Sequence, residues 1–309
     1  FVNQLPKIVL TGGSGFLGSH LLNNEAFQEA LAIGRTQPRN HRHFQIVSFD
    51  ADDDLTRVFN NKEIVVHLAA RAHVMNDTSK SPLNEFRLVN TVGTLNLAEN
   101  AAIAGVKRFI YISTVKVLGE QTEPGQAFKN GDSLNPQDPY SISKAEAEIG
   151  LKLIGEAHGM EIVIIRPPLV YGKGVKGNFA SLLKLAKFPI PLPFGSIQNK
   201  RSLVSVENLV DLIVVCLNHP NAKNQTFLVS DDDDMSTSIL FSRLADAGGY
   251  KAYIFSFPLI LLSVSLRVLG KSAIYERLCG SMQVNIDYTK SRLGWKPPFK
   301  IKDSLSSCW

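Results

Sequence analysis

Thr11-Gly12-Gly13-Ser14-Gly15-Phe16-Leu17-Gly18 is the stretch that decides the fold. It follows directly on Lys7-Ile8-Val9-Leu10-Thr11, whose continuous apolar run reads as a strand buried on both faces. It leads into a helical pattern from Gly18 to Asn24. The glycines stand in GxxGxxG order. Gly12 permits a tight turn, Gly15 lets the backbone approach a pyrophosphate, and Gly18 allows close helix–strand packing. Phe16 and Leu17 complete the turn that would face a dinucleotide, where the helix N-terminus offers N–H groups and a positive dipole. A glycine-rich turn alone is a weak signal. Between the first strand and first helix of an alternating chain it is a strong one.

The alternation is there. Leu31–Gly34, Gln45–Phe49, Ile64–Leu68, Phe109–Ile112 and Ile162–Ile165 repeat the strand pattern, separated by helical stretches at Leu55–Phe59, Ser81–Ala104 and Ser141–His158. Such a chain builds an α/β, doubly wound parallel sheet of Rossmann type, joined by right-handed crossovers. After Arg166 the texture changes. Pro167, Pro168, Pro189, Pro191 and Pro193 break the rhythm, and Gly172, Gly174 and Gly177 cluster. The expected division is a dinucleotide-binding domain over 1–166 and a smaller, mixed substrate domain over 167–309, some of whose segments return to the first. Helices are expected at Glu207–Asn218, Ser236–Ala247 and Leu259–Leu269, with a short strand at Thr226–Val229. The run Asp231–Asp234 reads as a solvated turn.

Composition narrows the class. The 309 residues carry 33 Lys plus Arg against 28 Asp plus Glu, and 44% are apolar, which excludes disordered and fibrous classes. The formal charge of +5 is too small and scattered to indicate nucleic acid, and suits an anionic small substrate equally well. Cys216, Cys279 and Cys308 form no CxxC pair and no disulfide framework, and no metal is expected. A reducing compartment, the cytoplasm, is expected, with no signal peptide visible. The most apolar stretch, Tyr253–Leu269, is interrupted by Pro258, Ser263, Ser265 and Arg267. It is too short for a span of about 20 residues and reads as a packed amphipathic helix, with a membrane-surface segment as the alternative.

Cofactor choice and chemistry can be read further along the chain. An acid that would hold the ribose 2′-hydroxyl of NAD is expected about 20 residues after the loop. Gly34-Arg35-Thr36 stands there instead, with Arg39 close behind, and arginine suits a 2′-phosphate. NADP is therefore favoured over NAD. Asp50, with Ala51 after it, ends the third strand and could meet the adenine end or simply cap a helix. Tyr140-Ser141-Ile142-Ser143-Lys144 places a tyrosine and a lysine one helical turn apart on one face. A neighbouring ammonium would favour the tyrosinate and lower its pKa. Ile112-Ser113-Thr114 ends an upstream strand, where a hydroxyl could face the same substrate oxygen.

Taken together, these segments resemble the extended short-chain dehydrogenase/reductase family, in its nucleotide-sugar epimerase, dehydratase and reductase branch. The matching pieces run in order over the whole chain: TGGSGFLGSH, HLAA at His67–Ala70, LVNTVGT around Asn90, STVKVLGE, YSISK, RPPLVYGKG, Arg201 and the terminal LGWKPP. The resemblance implies that Thr114 is the catalytic hydroxyl, Tyr140 the general acid/base, and Lys144 its partner and a ribose contact. It implies that Leu68, Ala69 and Ala70 line the cofactor cleft and that Asn90 stabilises the active-site helix. Asn178 and Arg201 match positions that hold a nucleotide diphosphate, though a turn cap and a surface ion pair remain open for them. Helices around Val89–Ala104 and Ala145–His158 would form a homodimer interface, or else belong to the intramolecular core.

Within the branch, 4,6-dehydratases place an Asp-Glu pair after the catalytic hydroxyl, and decarboxylases want a glutamate there. Val115-Lys116 supply neither. A Cys–His pair for 3,5-epimerase-reductases is missing, since no cysteine precedes position 216. What remains is hydride chemistry at a sugar carbinol. The expected activity is an NAD(P)-dependent 4-epimerase of a UDP-hexose or UDP-N-acetylhexosamine in surface-polysaccharide precursor synthesis. The alternative is an NADPH-dependent reductase of a UDP-4-keto-6-deoxy-N-acetylhexosamine. The residues Gly280-Ser281-Met282-Gln283 bring no bulky aromatic to the sugar pocket, which would leave room for an N-acetyl group. A cofactor-sensing protein without catalysis is disfavoured by the presence of both Tyr140 and Lys144.

Overall fold

The computed structural model describes residues 7–49, 54–72, 81–123 and 125–309. The chain runs β1 (Ile8–Thr11), α1 (Phe16–Leu22), β2 (Leu31–Gly34), β3 (Phe44–Ile46), β4 (Ile64–His67), α2 (Pro82–Arg87), α3 (Gly93–Ile103), β5 (Arg108–Ile112), α4 (Pro139–His158) and β6 (Glu161–Arg166). It continues through β7 (Leu169–Tyr171), α5 (Gly177–Ala186), β8 (Leu203–Ser205), α6 (Val206–Asn218), β9 (Gln225–Leu228), α7 (Thr237–Ala247), α8 (Leu259–Val268), α9 (Ser272–Cys279), α10 (Asp287–Leu293) and α11 (Ile301–Ser306).

Seven strands pair in the order β3-β2-β1-β4-β5-β6-β9, and every pairing is parallel. The β-branched runs explain this. All residues of β1, β4 and β5 are buried, as strands covered on both faces must be. One face of the sheet packs Leu10, Val66, Ile110 and Ile165 against Leu21 of α1 and Leu209 and Ile213 of α6. The other packs Val9, Val65 and Phe109 against Leu97 and Ala101 of α3 and Leu151 of α4. The order reverses between β1 and β4, and the crevice beyond their carboxyl ends is where such sheets hold ligands.

The division near Arg166 is not a clean cut. β7 and β8 form a separate two-stranded sheet, but β9 returns to pair with β6, Val163 opposite Gln225. Two smaller cores lie beyond the sheet, one around Tyr171, Phe179 and Leu244, the other around Phe194, Ile197 and Phe241.

One sequence expectation is extended and another corrected. The run Asp231–Asp234 is exposed at Asp232 and Asp234 as a solvated turn would be, but its carboxylates are also anchored. Asp231 accepts from Ser205 N (2.9 Å), Asn208 Nδ2 (2.7 Å) and the Tyr171 hydroxyl (2.7 Å), so it fastens β7, β8 and α6 together. Asp234 accepts from Ser202 Oγ (2.5 Å) and Gln283 Nε2 (2.8 Å), while Asp232 and Asp233 pair with Lys290 and Arg243. The spacing of four carboxylates carries no sign of these distant partners. Helix α8 is not a packed amphipathic one: only Leu262 is buried along it.

Candidate active site

The glycine loop is built as close approach demands. Gly12 adopts φ +71°, and a Cβ there would lie 2.8 Å from Ala69 N. A Cβ on Gly18 would lie 2.2 Å from the Gly12 carbonyl oxygen, so α1 can dock on the loop only because that atom is missing. Gly15 is exposed and precedes the first residue of α1, with no side chain capping the helix. Its N–H donates to Gly12 O at 3.0 Å. Phe16 and Leu17, half-buried, start the helix.

Facing this loop, the segment after β4 is held by a hydrogen-bonded chain. Thr11 Oγ1 accepts from Leu68 N (3.1 Å) and Ala69 N (3.0 Å), so its own proton goes to His67 Nδ1 at 2.7 Å. His67 Nε2 is then the protonated nitrogen and donates to Thr94 Oγ1 at 2.9 Å. Burial, with Lys144 nearby, depresses the imidazole to about 3 and keeps it neutral. Leu68, Ala69 and Ala70 are half-buried beside Gly12. A backbone cradle that a side chain would fill, next to two alanines, fits a dinucleotide pyrophosphate. Arg35 follows Gly34 at the end of β2 with its side chain exposed. Asp50 and Ala51 lie outside the described residues.

The chemistry-bearing side chains come from β5 and α4. Thr114, two residues past β5, is buried and begins a short 3-10 turn, its hydroxyl accepting from Lys116 N at 3.3 Å. Tyr140 is in the first turn of α4, and Asp138 caps that helix through Oδ1 to Ser141 N (2.6 Å), with Ser141 Oγ bonded to Asp138 N in return. Lys144 is fully buried. Its Nζ donates to Ile112 O at 2.6 Å and sits 4.1 Å from the centre of the Tyr111 ring. One turn on, Glu148 and Arg166 form a buried bidentate pair at 3.0 and 2.6 Å.

Electrostatics departs from the sequence expectation at Tyr140. Burial and the Asp138 charge push its phenol up to about 12, so within the protein alone it is a protonated acid. The ammonium that was to lower it is turned toward Ile112 O. Burial also lowers Lys144 to about 7, against the pull of Glu148. Asp138 stays ionised: despite its burial, hydrogen bonds from Ser141 and Lys116 hold its carboxyl below the ordinary value. Lys116 Nζ lies 2.9 Å from Asp138 Oδ2 and 2.9 Å from Glu120 Oε2, which joins the Thr114 turn to the cap of the Tyr140 helix.

Asn90 sits in a five-residue π-turn, Leu88–Val92, between α2 and α3. Fully buried, it accepts from Arg71 N (2.7 Å) and donates to Arg71 O (3.1 Å) and Ser143 Oγ (3.0 Å). Ser143 in turn donates to Tyr140 O at 2.7 Å. Phe86 of α2 meets the Tyr140 ring edge-on at 6.1 Å.

Of the two residues expected to hold a diphosphate, Arg201 has its side chain described. Asn178 is the second residue of α5, and its side chain lies outside the described part. Arg201 bridges the backbone to Met235 and Met282 and donates to the carbonyls of Arg277 and Gly280 at the end of α9. Its guanidinium is thus engaged by a helix C-terminus. The Lys116–Asp138 bridge, the Glu148–Arg166 pair and the His67 chain escape a sequence reading, because each joins residues 18 to 58 positions apart.

A glycine cradle at the switch point of a parallel sheet, beside a tyrosine and a lysine on one helix, defines a nucleotide-dependent dehydrogenase-type site. Residues 8–230 match the NAD dependent epimerase/dehydratase family, and the chain belongs to it, in the nucleotide-sugar epimerase and reductase branch of the extended short-chain dehydrogenase/reductases. It is 46% identical over 309 residues to a UDP-glucose 4-epimerase of Vibrio cholerae, covering 98% of this chain and 94% of the relative. Among solved structures, a UDP-glucuronic acid 4-epimerase from Bacillus cereus in complex with NAD superposes with a TM-score of 0.75 at 21% identity, over 98% of this chain and 97% of that one. RMD from Pseudomonas aeruginosa, complexed with NADPH, gives 0.70 at 22% identity, over 97% of both chains. Both likenesses are of fold.

Proposed function

We propose that this chain is an NAD(P)-dependent nucleotide-sugar 4-epimerase acting on a UDP-hexose or UDP-N-acetylhexosamine. The observation that carries the reading is the joined pair of turns that presents Thr114, Tyr140 and Lys144, with Lys116 occupied by two carboxylates where a dehydratase would need an acid and a base. The similarity to the Vibrio cholerae UDP-glucose 4-epimerase supports it. Gly12, Gly15, Gly18 and the Leu68–Ala70 backbone would hold the dinucleotide, which when bound accepts hydride from C4 and returns it. Tyr140 takes the 4-hydroxyl proton during oxidation and gives it back to the 4-keto oxygen. Thr114 would hydrogen-bond that oxygen. Lys144, anchored on Ile112 O one helical turn after Tyr140, would supply positive charge to the site. Because burial holds the phenol protonated, its own proton must leave before it can take the 4-hydroxyl proton, and the positive charge of Lys144 and of an oxidised nicotinamide would favour that loss.

The reductase of a 4-keto sugar is the second reading, and Arg35 favours it: an exposed guanidinium after β2 suits the 2′-phosphate of NADPH. Arg201 and Asn178 are assigned to the substrate side. A homodimer is assigned to the α3–α4 face, where Leu88, Val92, Ile103, Ile149 and Leu153 are exposed. Three free cysteines fit a cytoplasmic location, and a place in polysaccharide precursor synthesis follows from the substrate class. Incubation with UDP-glucose, UDP-GlcNAc and a UDP-4-keto-6-deoxy sugar, with and without NADPH, tests the proposal. Turnover of a 4-hydroxy substrate without added reductant supports the epimerase. Stoichiometric NADPH consumption on the keto sugar alone replaces it with the reductase.

A further inference from the structure

The most exposed apolar surface of the described chain lies on α8, none of whose residues belongs to the site described above. Of its ten residues only Leu262 is buried, at 8% exposure, whereas Val268 is 82% and Ile260 78% exposed, and Leu261, Val264 and the following Leu269 are also exposed. Soluble surfaces scatter such side chains singly, and a contiguous group marks a binding face. The helix does not stand alone. Leu192 pairs with the 253–255 segment through Leu192 N to Tyr253 O (2.8 Å) and Phe255 N to Leu192 O (3.0 Å). Leu259 packs in the same small core as Ala186, Leu192 and Phe194. The end of α5, the loop after it with exposed Phe188, and α8 are therefore laid side by side.

The charges of these segments are of one sign. Residues 181–198 hold Lys184 and Lys187, residues 247–275 hold Lys251, Arg267 and Lys271, and neither stretch contains an Asp or Glu. All five cations are exposed. The nearest acids in sequence, Asp246 and Glu276, stand at the borders. Residues 30–49 and 162–206 are acid-free as well, but on α8 the cations border an exposed apolar helix, with Glu276 of α9 the acid at its edge.

We propose that this face seats on an anionic lipid bilayer, with α8 lying in the headgroup layer. A second copy of the chain would bring like charges together across the contact. An anionic bilayer offers both an apolar layer for Ile260 and Val268 and negative charge for the rim. At about 1.5 Å per residue, α8 is roughly 15 Å long, half the hydrocarbon thickness of about 30 Å, so it lies along the surface. No helix of the described residues is long and apolar enough to cross a membrane.

Co-sedimentation of the full chain with large vesicles tests this, using phosphatidylcholine alone and phosphatidylcholine mixed with phosphatidylglycerol. Binding to the mixed vesicles is expected to exceed binding to neutral ones at least about thirtyfold, roughly the weight of two cations near the surface, and to fall as salt rises. The Ile260→Glu/Val268→Glu double variant alters only exposed positions and should lose the binding while its thermal unfolding stays that of the parent. Lys251→Glu/Lys271→Glu should lose the anionic preference. Failure of the parent to pellet with the mixed vesicles overturns the proposal, as does equal binding to neutral vesicles. A change in sedimentation mass in Ile260→Glu/Val268→Glu, with vesicle binding intact, assigns the face to a second copy and overturns it too.

Discussion

Replacing Glu148 by Gln removes one negative charge from the buried face of the active-site helix without changing its shape. Glu148 and Arg166 have side-chain exposures of 1% and 4%, and their two hydrogen bonds measure 3.0 and 2.6 Å. The amide can still accept one N–H, but the guanidinium of Arg166 is left buried with no counter-charge. Breaking a buried pair this way costs about 3–5 kcal/mol, most of it the desolvation of the stranded ion. Replacing both partners by apolar residues, Glu148→Leu with Arg166→Met, should restore most of that loss, because no charge then remains buried. Urea unfolding of the parent, the single and the double variant gives the three free energies. Glu148 also raises the Lys144 ammonium against the dominant effect of burial, so in Glu148→Gln the lysine should titrate below its value of about 7. ¹⁵N NMR of the lysine side chain reads this directly. A loss under about 1 kcal/mol in the single variant, together with an unmoved Lys144, would refute the account of the pair as both a structural and an electrostatic support.

Three further outcomes follow from the site. Asp138 raises the Tyr140 phenol, and Lys116 screens Asp138. Asp138→Asn, which keeps the helix cap, should therefore lower the Tyr140 pKa from about 12, and Lys116→Met should raise it, both read by ¹³Cζ tyrosine NMR over a pH titration. Gly18→Ala drives a Cβ to within 2.2 Å of the Gly12 carbonyl, where only backbone could yield. Its cost should exceed the 1–3 kcal/mol typical of about one excess methyl in a core, with NAD affinity lost in a fluorescence titration. Tyr140→Phe should reduce kcat by about 10² to 10⁴ while NAD affinity stays near that of the parent, and retention of full turnover would remove the tyrosine from the mechanism.

What was legible in the sequence was whatever depends on neighbours along the chain. The unbroken apolar runs of β1, β4 and β5 announce strands covered on both faces, and the spacing of Gly12, Gly15 and Gly18 announces the cradle, because both are local consequences of sterics. The third strand slipped, from an expected Gln45–Phe49 to Phe44–Ile46, where a short, largely exposed strand gives little pattern. The Ser81–Ala104 helix resolved into α2, a π-turn and α3, an irregularity that no periodicity in the sequence marks. Long-range pairing was not legible at all. The carboxylates of Asp231–Asp234 find partners on β8, α6, α7 and α10, and Lys116 finds Asp138 across an irregular loop. Burial was misjudged at α8 because an apolar helix reads the same whether a core or something outside the chain covers it.

The π-turn has a bearing on what changes of length this chain tolerates. Five residues occupy a turn that would ordinarily close in fewer, and the surplus is what points Asn90 inward to the backbone of Arg71 and the hydroxyl of Ser143. Deleting one residue from Leu88–Val92 would let α2 and α3 merge into one regular helix, rotating everything before the deletion by about 100° relative to everything after it. Phe86 would leave the Tyr140 ring and Arg87 would leave Glu146, while Leu97 and Ala101 kept their places against the sheet. The segment therefore acts as a phase shifter. Its length, more than its composition, keeps a helix packed for stability in step with a helix aligned for the site.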